Sequence, residues 1–262
     1  MGKRTDICRR DRRVVRPRRC KRYVSEATAG RRLLASPQTM FGMALVFDTE
    51  DETGRAIRVL EVEGTWESVA YLDEPFELAL DYTKAFDVLF ETVPKPCRIL
   101  AIGCGGFSYP MHLADVSSAR IDAVEIDPAV IDLAREFFGL DEAERRWGAE
   151  GDGRLRVVCE DGRAWLDSCA PGSYDAIVND SFSAGMPAEG LVTSDAALAI
   201  RRVLSSHGVY AVNVVASLEG EASRILYEHI TVLERVFSEI EVHPVYTLPP
   251  GVPGNIILVA RP

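Results

Sequence analysis

Arg98-Ile-Leu-Ala-Ile-Gly103-Cys-Gly105-Gly106, followed after a helix-sized gap by Ile121-Asp-Ala-Val-Glu125-Ile-Asp127, is the stretch whose reading decides the fold. An apolar run ends in a glycine turn, and a second apolar run ends in an acid 22 residues after Gly103. A parallel α/β sheet presents this pattern to a nucleoside. The glycines let the backbone approach the ligand at a helix N-terminus, and the later carboxylate accepts from two ribose hydroxyls. The competing explanation is a tight strand-to-helix turn and a charged strand end in any doubly wound fold; an acid at this distance favours the ligand. Gly103, Gly105, Gly106 and Glu125 are the first candidate binding residues.

Outward from this stretch, strands and helices alternate. Strands are predicted near 98–103, 121–126, 155–159, 174–179 and 208–215, and helices near 109–115, 128–138, 162–168, 193–204 and 220–237. Such alternation predicts a parallel sheet covered on both faces. Asp127-Pro128 is a helix start, a side-chain cap followed by proline at the first helical position. The last pair of strands, near 241–247 and 255–260, flanks the Pro- and Gly-rich segment 248–254 and predicts an antiparallel finish, with Pro244 an awkward residue in the first of them. Upstream, 43–47, 56–62 and 66–72 read as a small antiparallel meander, and the apolar spacing from Pro75 to Phe90 predicts a helix stopped by Pro94 and Pro96. The organisation expected is a basic, disordered tail over 1–39, a meander plus helix over 40–92, and the main domain over 93–262.

Charge divides the chain into two physical objects. Residues 1–32 hold 13 of the 30 Lys and Arg residues against three acids, a net +10, whereas the remainder carries 17 bases against 37 acids, a net −20. The acidic body disfavours nucleic acid as its main partner and suits a cationic substrate. The arginine-rich tail lacks apolar periodicity and reads as a solvated extension, a nucleic-acid-binding arm, or sequence upstream of a start at Met40 or Met43. No apolar run approaches the roughly 20 residues that span a bilayer, and no signal-like apolar segment follows the basic N-terminus, so a cytoplasmic protein is expected. The six cysteines show no Cys-x-x-Cys pair and read as reduced, mostly buried thiols; the four histidines are scattered, and no metal site is expected.

Several further segments, in order from about residue 54 to the C-terminus, make the chain resemble the spermidine synthase family of aminopropyltransferases. They are Thr53-Gly-Arg with Val59-Leu-Glu-Val-Glu-Gly64-Thr-Trp-Glu67, Val124-Glu-Ile-Asp127, Glu160-Asp161-Gly162, Tyr174-Asp-Ala-Ile-Val-Asn-Asp180-Ser, Pro187-Ala-Glu189 with Leu191, Glu219-Gly-Glu221, and Tyr246-Thr-Leu-Pro249 with Gly254. The resemblance implies a Rossmann-like class I methyltransferase fold, a mostly parallel seven-stranded sheet with an antiparallel C-terminal strand, preceded by a small antiparallel β subdomain. It implies a homodimer. It also implies an adenosyl sulfonium co-substrate, decarboxylated S-adenosylmethionine or S-adenosylmethionine, and a small cationic amine as the acceptor.

Carried over residue by residue, the resemblance makes Asp180 the base that holds and deprotonates the attacking amine. Glu125 holds the ribose, Asp161 beside Gly162 the adenine amino group, and Glu67 belongs to the cofactor end. Tyr82, Ser183 and Glu221 face the substrate. Each has a structural competitor: Asp180 as a turn cap, Asp161 as a helix cap, Glu221 as an acid at a helix start, Tyr82 as a core tyrosine. Four positions depart from the family pattern. Ser183 stands where a second aspartate is found, Gly106 where the glycine loop carries an acid, Gly251 or Val252 where the proline-rich gate carries tyrosine, and Glu67 where the hairpin ends in glutamine. The nucleoside half keeps the pattern while the substrate half is rewritten. Loss of an acid beside the aminopropyl ammonium opens methyl transfer from S-adenosylmethionine as the alternative reaction, and a non-catalytic nucleoside-binding protein is the third class.

Overall fold

The structure, a computed structural model, describes residues 13–14, 30–183 and 186–262. The expectation of a disordered tail falls largely on residues outside that set. Within the set, β1 (Arg13–Val14) pairs in parallel with a strand near the C-terminus, and β2 (Arg32–Ala35) and β3 (Gln38–Thr39) precede residue 40, where the meander and helix are expected to begin. Both of the latter pair with β4 (Gly42–Glu50), which continues into β5 (Ala56–Val62) and β6 (Thr65–Tyr71) as an antiparallel meander. The β5–β6 turn has positive φ at Glu63 and Gly64, the two-residue geometry whose twist matches paired strands.

The helix expected over Pro75–Phe90 begins later. The segment before Leu78 forms a turn, the Glu77 amide donating to the Glu74 carbonyl at 3.0 Å, and Leu78 bridges back to Ala70. Helix α1 (Asp81–Ala85) then passes through a 3₁₀ turn into α2 (Leu89–Thr92), which ends ahead of Pro94. From there the chain follows the alternation: β7 (Arg98–Ile102), α3 (Ser108–Val116), β8 (Arg120–Glu125), α4 (Pro128–Phe137), α5 (Leu140–Trp147), β9 (Leu155–Cys159), α6 (Gly162–Ser168) and β10 (Tyr174–Asn179). Two-residue strands β11 (Phe182–Ser183) and β12 (Met186–Pro187) form a small hairpin before α7 (Ser194–Val203), β13 (Leu204–Ala216), α8 (Arg224–Leu233), β14 (Glu239–Pro244) and β15 (Gly254–Arg261).

Helix α5 is absent from the sequence expectation. Its surface is laced with Asp141–Arg145 and Glu142–Arg146 pairs, which hide a buried face at Leu140, Ala143 and Trp147. The main sheet has the order β1-β14-β15-β13-β10-β7-β8-β9. Apart from the short edge strand β1, it is the seven-stranded sheet expected, parallel except for β15, which is antiparallel to both neighbours. Pro244 is accommodated as the last residue of β14.

Alternation along β7 shows why helices cover both faces. Ile99 and Ala101 join one buried cluster with α3 and α5; Leu100 and Ile102 join the other with α6, α7 and α8. Helix α4 faces two ways, placing Ile131 and Ala134 in the first cluster and Val130 and Leu133 against Val46, Leu60 and Val62 of the meander. Of the cysteines, Cys97 and Cys159 are exposed, Cys169 is half-buried and Cys104 buried, all four free; among the described residues the expectation of mostly buried thiols fails because Cys97 lies just before β7 and Cys159 at the end of β9, both at the surface. Cys8 and Cys20 lie outside the described residues. No helix among the described residues is long and apolar enough to cross a membrane.

Arg58 ties the meander to helix α4. Its guanidinium forks onto Asp48 at 2.7 and 3.2 Å and donates to the carbonyl of Phe137 at the end of α4 at 2.8 Å. Arg58→Ala is expected to lower unfolding stability in urea by about 1–2 kcal/mol, and Arg58→Lys to recover only part, because an ammonium cannot reproduce the fork.

Candidate active site

The carboxyl ends of β7 and β10 flank the point where strand order reverses, the place where open α/β sheets bind ligands. The Asp180 amide donates to the Ile102 carbonyl at 2.9 Å and the Gly103 amide to Val124 at 3.0 Å, so the strand ends are zipped together just before their loops diverge. Gly103 has φ +74°, and a Cβ there would lie 2.6 Å from the Ser181 Cα; glycine is required by backbone angle and by backbone proximity.

Above these strand ends lies a cavity of about 250 Å³. Its walls bring together Glu67 from β6, Tyr82 from α1, the turn Gly103 to Gly105, Asp180 after β10, and Asn213 of β13. Of the expected site residues, Glu67, Tyr82, Gly103, Gly105 and Asp180 line it. Asp161 instead caps α6, accepting from the Ala164 amide at 2.9 Å, and Gly162 lets that helix close on β7, since a Cβ would meet Ile102 Cγ2 at 2.4 Å. Glu221 is exposed at the start of a 3₁₀ turn and is not part of the cavity wall. Ser183 pairs with Met186 in the β11–β12 hairpin, and its side chain lies outside the described part of the structure.

Glu125 lies beneath the glycine turn. One carboxylate oxygen accepts from the amides of Cys104 at 2.9 Å and Gly105 at 3.2 Å; the other accepts from the Asp127 amide at 3.1 Å. Burial raises its pKa against these stabilising amides. The arrangement is one a nucleoside can use: a glycine turn at a cavity and a carboxylate at the neighbouring strand end.

Asp180 opens onto the cavity but lies deep in the fold. Burial pushes its pKa up to about 7, opposed by hydrogen bonds from Asn213 and Tyr82 and reinforced by the charge of Glu67. Burial likewise raises Glu67 to about 7, with Glu125 adding to the effect. The Tyr82 hydroxyl, held well above its ordinary pKa by burial and then by Asp180, stays a neutral donor. Among the described residues that line the cavity there is no Lys, Arg or His. The wall attracts cations, and Asp180 titrates where a general base is most effective.

Sequence reasoning missed Asn213, Asn255 and Ser68. Asn213 interrupts the buried apolar run from Val209 to Val214, a signal that was there to find. Ser68 accepts from the Gly106 amide at 2.7 Å, and a Cβ at position 106 would lie 2.9 Å from the Ser68 Cβ and 3.2 Å from Phe138. Position 106 therefore has no room for the acid that the resemblance would put there.

Compared with known proteins, residues 84–260 match the family described as the spermine/spermidine synthase domain. A polyamine aminopropyltransferase of Vibrio vulnificus is 34% identical over 148 residues, 56% of this chain and 45% of that protein. Putrescine N-methyltransferase 1 of Nicotiana tabacum is 35% identical over 119 residues, 45% of this chain and 30% of that protein. The chain thus spans less than half the length of either relative. A probable spermidine synthase from Corynebacterium glutamicum superposes with a TM-score of 0.69 at 22% identity, covering 87% of this chain and 79% of that one, a likeness of fold.

Gly106→Ala is expected to lower stability by about 1–3 kcal/mol through overpacking. The same substitution in a Ser68→Gly background should cost clearly less, because the nearest atom it meets, the Ser68 Cβ, is gone while the Phe138 contact remains; additive costs in chemical denaturation would contradict the contact.

Proposed function

The chain belongs to the spermine/spermidine synthase family, and from that premise we propose that it alkylates a small cationic amine using an adenosyl sulfonium, with aminopropyl transfer from decarboxylated S-adenosylmethionine to a polyamine as the reaction. The observation that carries this reading is the cavity wall, where Asp180 and Glu67 stand with Tyr82 and Asn213 and no cationic side chain accompanies them among the described residues. An amine acceptor and an aminopropyl ammonium are both cations. A carboxylate on the cofactor would meet two acids and no base.

When bound, the sulfonium supplies the electrophilic carbon. Asp180 holds the acceptor ammonium and takes one proton from it, leaving a neutral amine lone pair free to attack. Asn213 and Tyr82, both donors to that carboxylate, favour its ionised form. Glu125 and the Gly103 to Gly105 turn orient the nucleoside end, and Glu67 adds negative charge to the wall. Asp161 at the head of α6 is assigned to the adenine edge on resemblance, and Glu221 to the far end of an acceptor, since the cavity as it stands does not reach them.

Methyl transfer from S-adenosylmethionine is the second reading, favoured by one specific observation. The loop acid has no space at position 106, and Ser183 replaces a second aspartate, so fewer charges are left to hold an aminopropyl ammonium. The similarity to a putrescine N-methyltransferase points the same way while keeping an amine as acceptor.

Calorimetric binding of the two sulfonium compounds, measured separately, is expected to favour the decarboxylated form, with methylthioadenosine released in the presence of a polyamine. Tighter binding of the carboxylated form without methylthioadenosine would overturn the aminopropyl reading. Turnover should rise with pH as Asp180 ionises, levelling above about 7. Asp180→Asn should lower kcat by about 100-fold or more; a loss below about tenfold contradicts a base at this position.

A further inference from the structure

We propose that Asn213 and Asn255 form a directional amide relay that fixes the orientation of the Asp180 carboxylate and keeps it an acceptor, making both asparagines positioning residues of the reaction. The inference rests on Asp180 being the base. Asn213 is 3% exposed, and its Nδ2 donates to Asp180 Oδ1 at 2.8 Å. Asn255 Nδ2 donates to Asn213 Oδ1 at 3.2 Å.

The register explains the arrangement. Strands β13 and β15 are antiparallel, with Asn213 opposite Ile257 and Val215 opposite Asn255, so the two asparagines are diagonal neighbours on one face of the sheet. Both line the cavity. An amide is two-ended, and a free Asn213 has two orientations related by a flip. One presents NH₂ to the carboxylate; the other presents oxygen to oxygen. By donating to the Asn213 oxygen, Asn255 selects the first. The relay therefore pins one carboxylate oxygen, while Tyr82 donates a further hydrogen bond to the carboxylate.

The groups facing Asp180 come from five elements: Asn213 on β13 and, through it, Asn255 on β15; Tyr82 on α1; Glu67 on β6; and Cys104 in the glycine turn, with Glu125 beneath. Burial and Glu67 oppose ionisation, whereas Asn213 and Tyr82 favour it. Asn213 is thus one of two donors that offset the cost of a charge held in this wall.

The test is a ¹³C NMR titration of aspartate carboxyl carbons in the full chain, with the Asp180 signal identified by its loss in Asp180→Asn. Asn213→Ala should raise the Asp180 midpoint by about one pH unit, the size expected for removing a buried hydrogen bond to a charge. Asn255→Ala, at a partly exposed position that tolerates truncation, should raise it by a smaller but measurable amount. The acid limb of kcat/KM should move with the midpoint. Midpoints unchanged in both variants, with only melting temperatures affected, would overturn the relay. A midpoint that moves while the turnover limb stays fixed would uphold the relay and overturn Asp180 as base.

Discussion

The buried carboxylate of Glu125 is the constraint on which the rest depends. Its two oxygens gather the amides of Cys104, Gly105 and Asp127, so one side chain fixes the turn after β7 and the start of α4 together. Asp127 continues the chain of contacts, capping α4 through the Ala129 amide and accepting from the Met40 amide at 2.6 Å. A segment far upstream in sequence is thereby tied to the glycine turn through two carboxylates. The cavity exists because these loops diverge from that common knot at the switch point of the sheet.

Legibility in the sequence followed the strength of the physical signal. The apolar runs ending at Gly103, Glu125 and Asp180 are buried strands of a parallel sheet, and near-continuous apolar sequence is what such strands require. Asp127-Pro128 marked the start of α4 because cap and proline act within two residues. Helix α5 escaped because its burial needs only Leu140, Ala143 and Trp147 among charged neighbours. The late start of α1 was illegible because Leu78 is held by a bridge to Ala70, a tertiary contact that local periodicity does not encode. At the site, Glu67, Tyr82 and Asp180 were found and meet in one cavity; Asn213 was marked only as a polar break in an apolar run, and Ser68 emerged only from the packing of β6 against the glycine turn. Glu221 and Asp161 carry acids at turn and helix starts, where sequence offers a structural and a functional reason at once.

One departure from the family pattern, Gly106, has a steric reason. Ser68 lies between the hairpin and the glycine loop, and once its hydroxyl receives the Gly106 amide, position 106 must stay without a side chain. Glu67, near the end of the hairpin, and Asp180 are the acids of the cavity wall.

Two carboxyls titrating near 7 in the fold, against about 4 in an unfolded chain, bind more protons folded than unfolded across that interval. The stability they contribute is complete below about pH 4 and is lost as pH rises through 7. Near neutral pH the ionised forms of these two carboxyls therefore count against the fold. A cation entering that wall would favour the ionised carboxylates, so binding it would release protons and offset that cost in the same event. Occupancy of the cavity, proton release and folding would then be expressions of a single equilibrium.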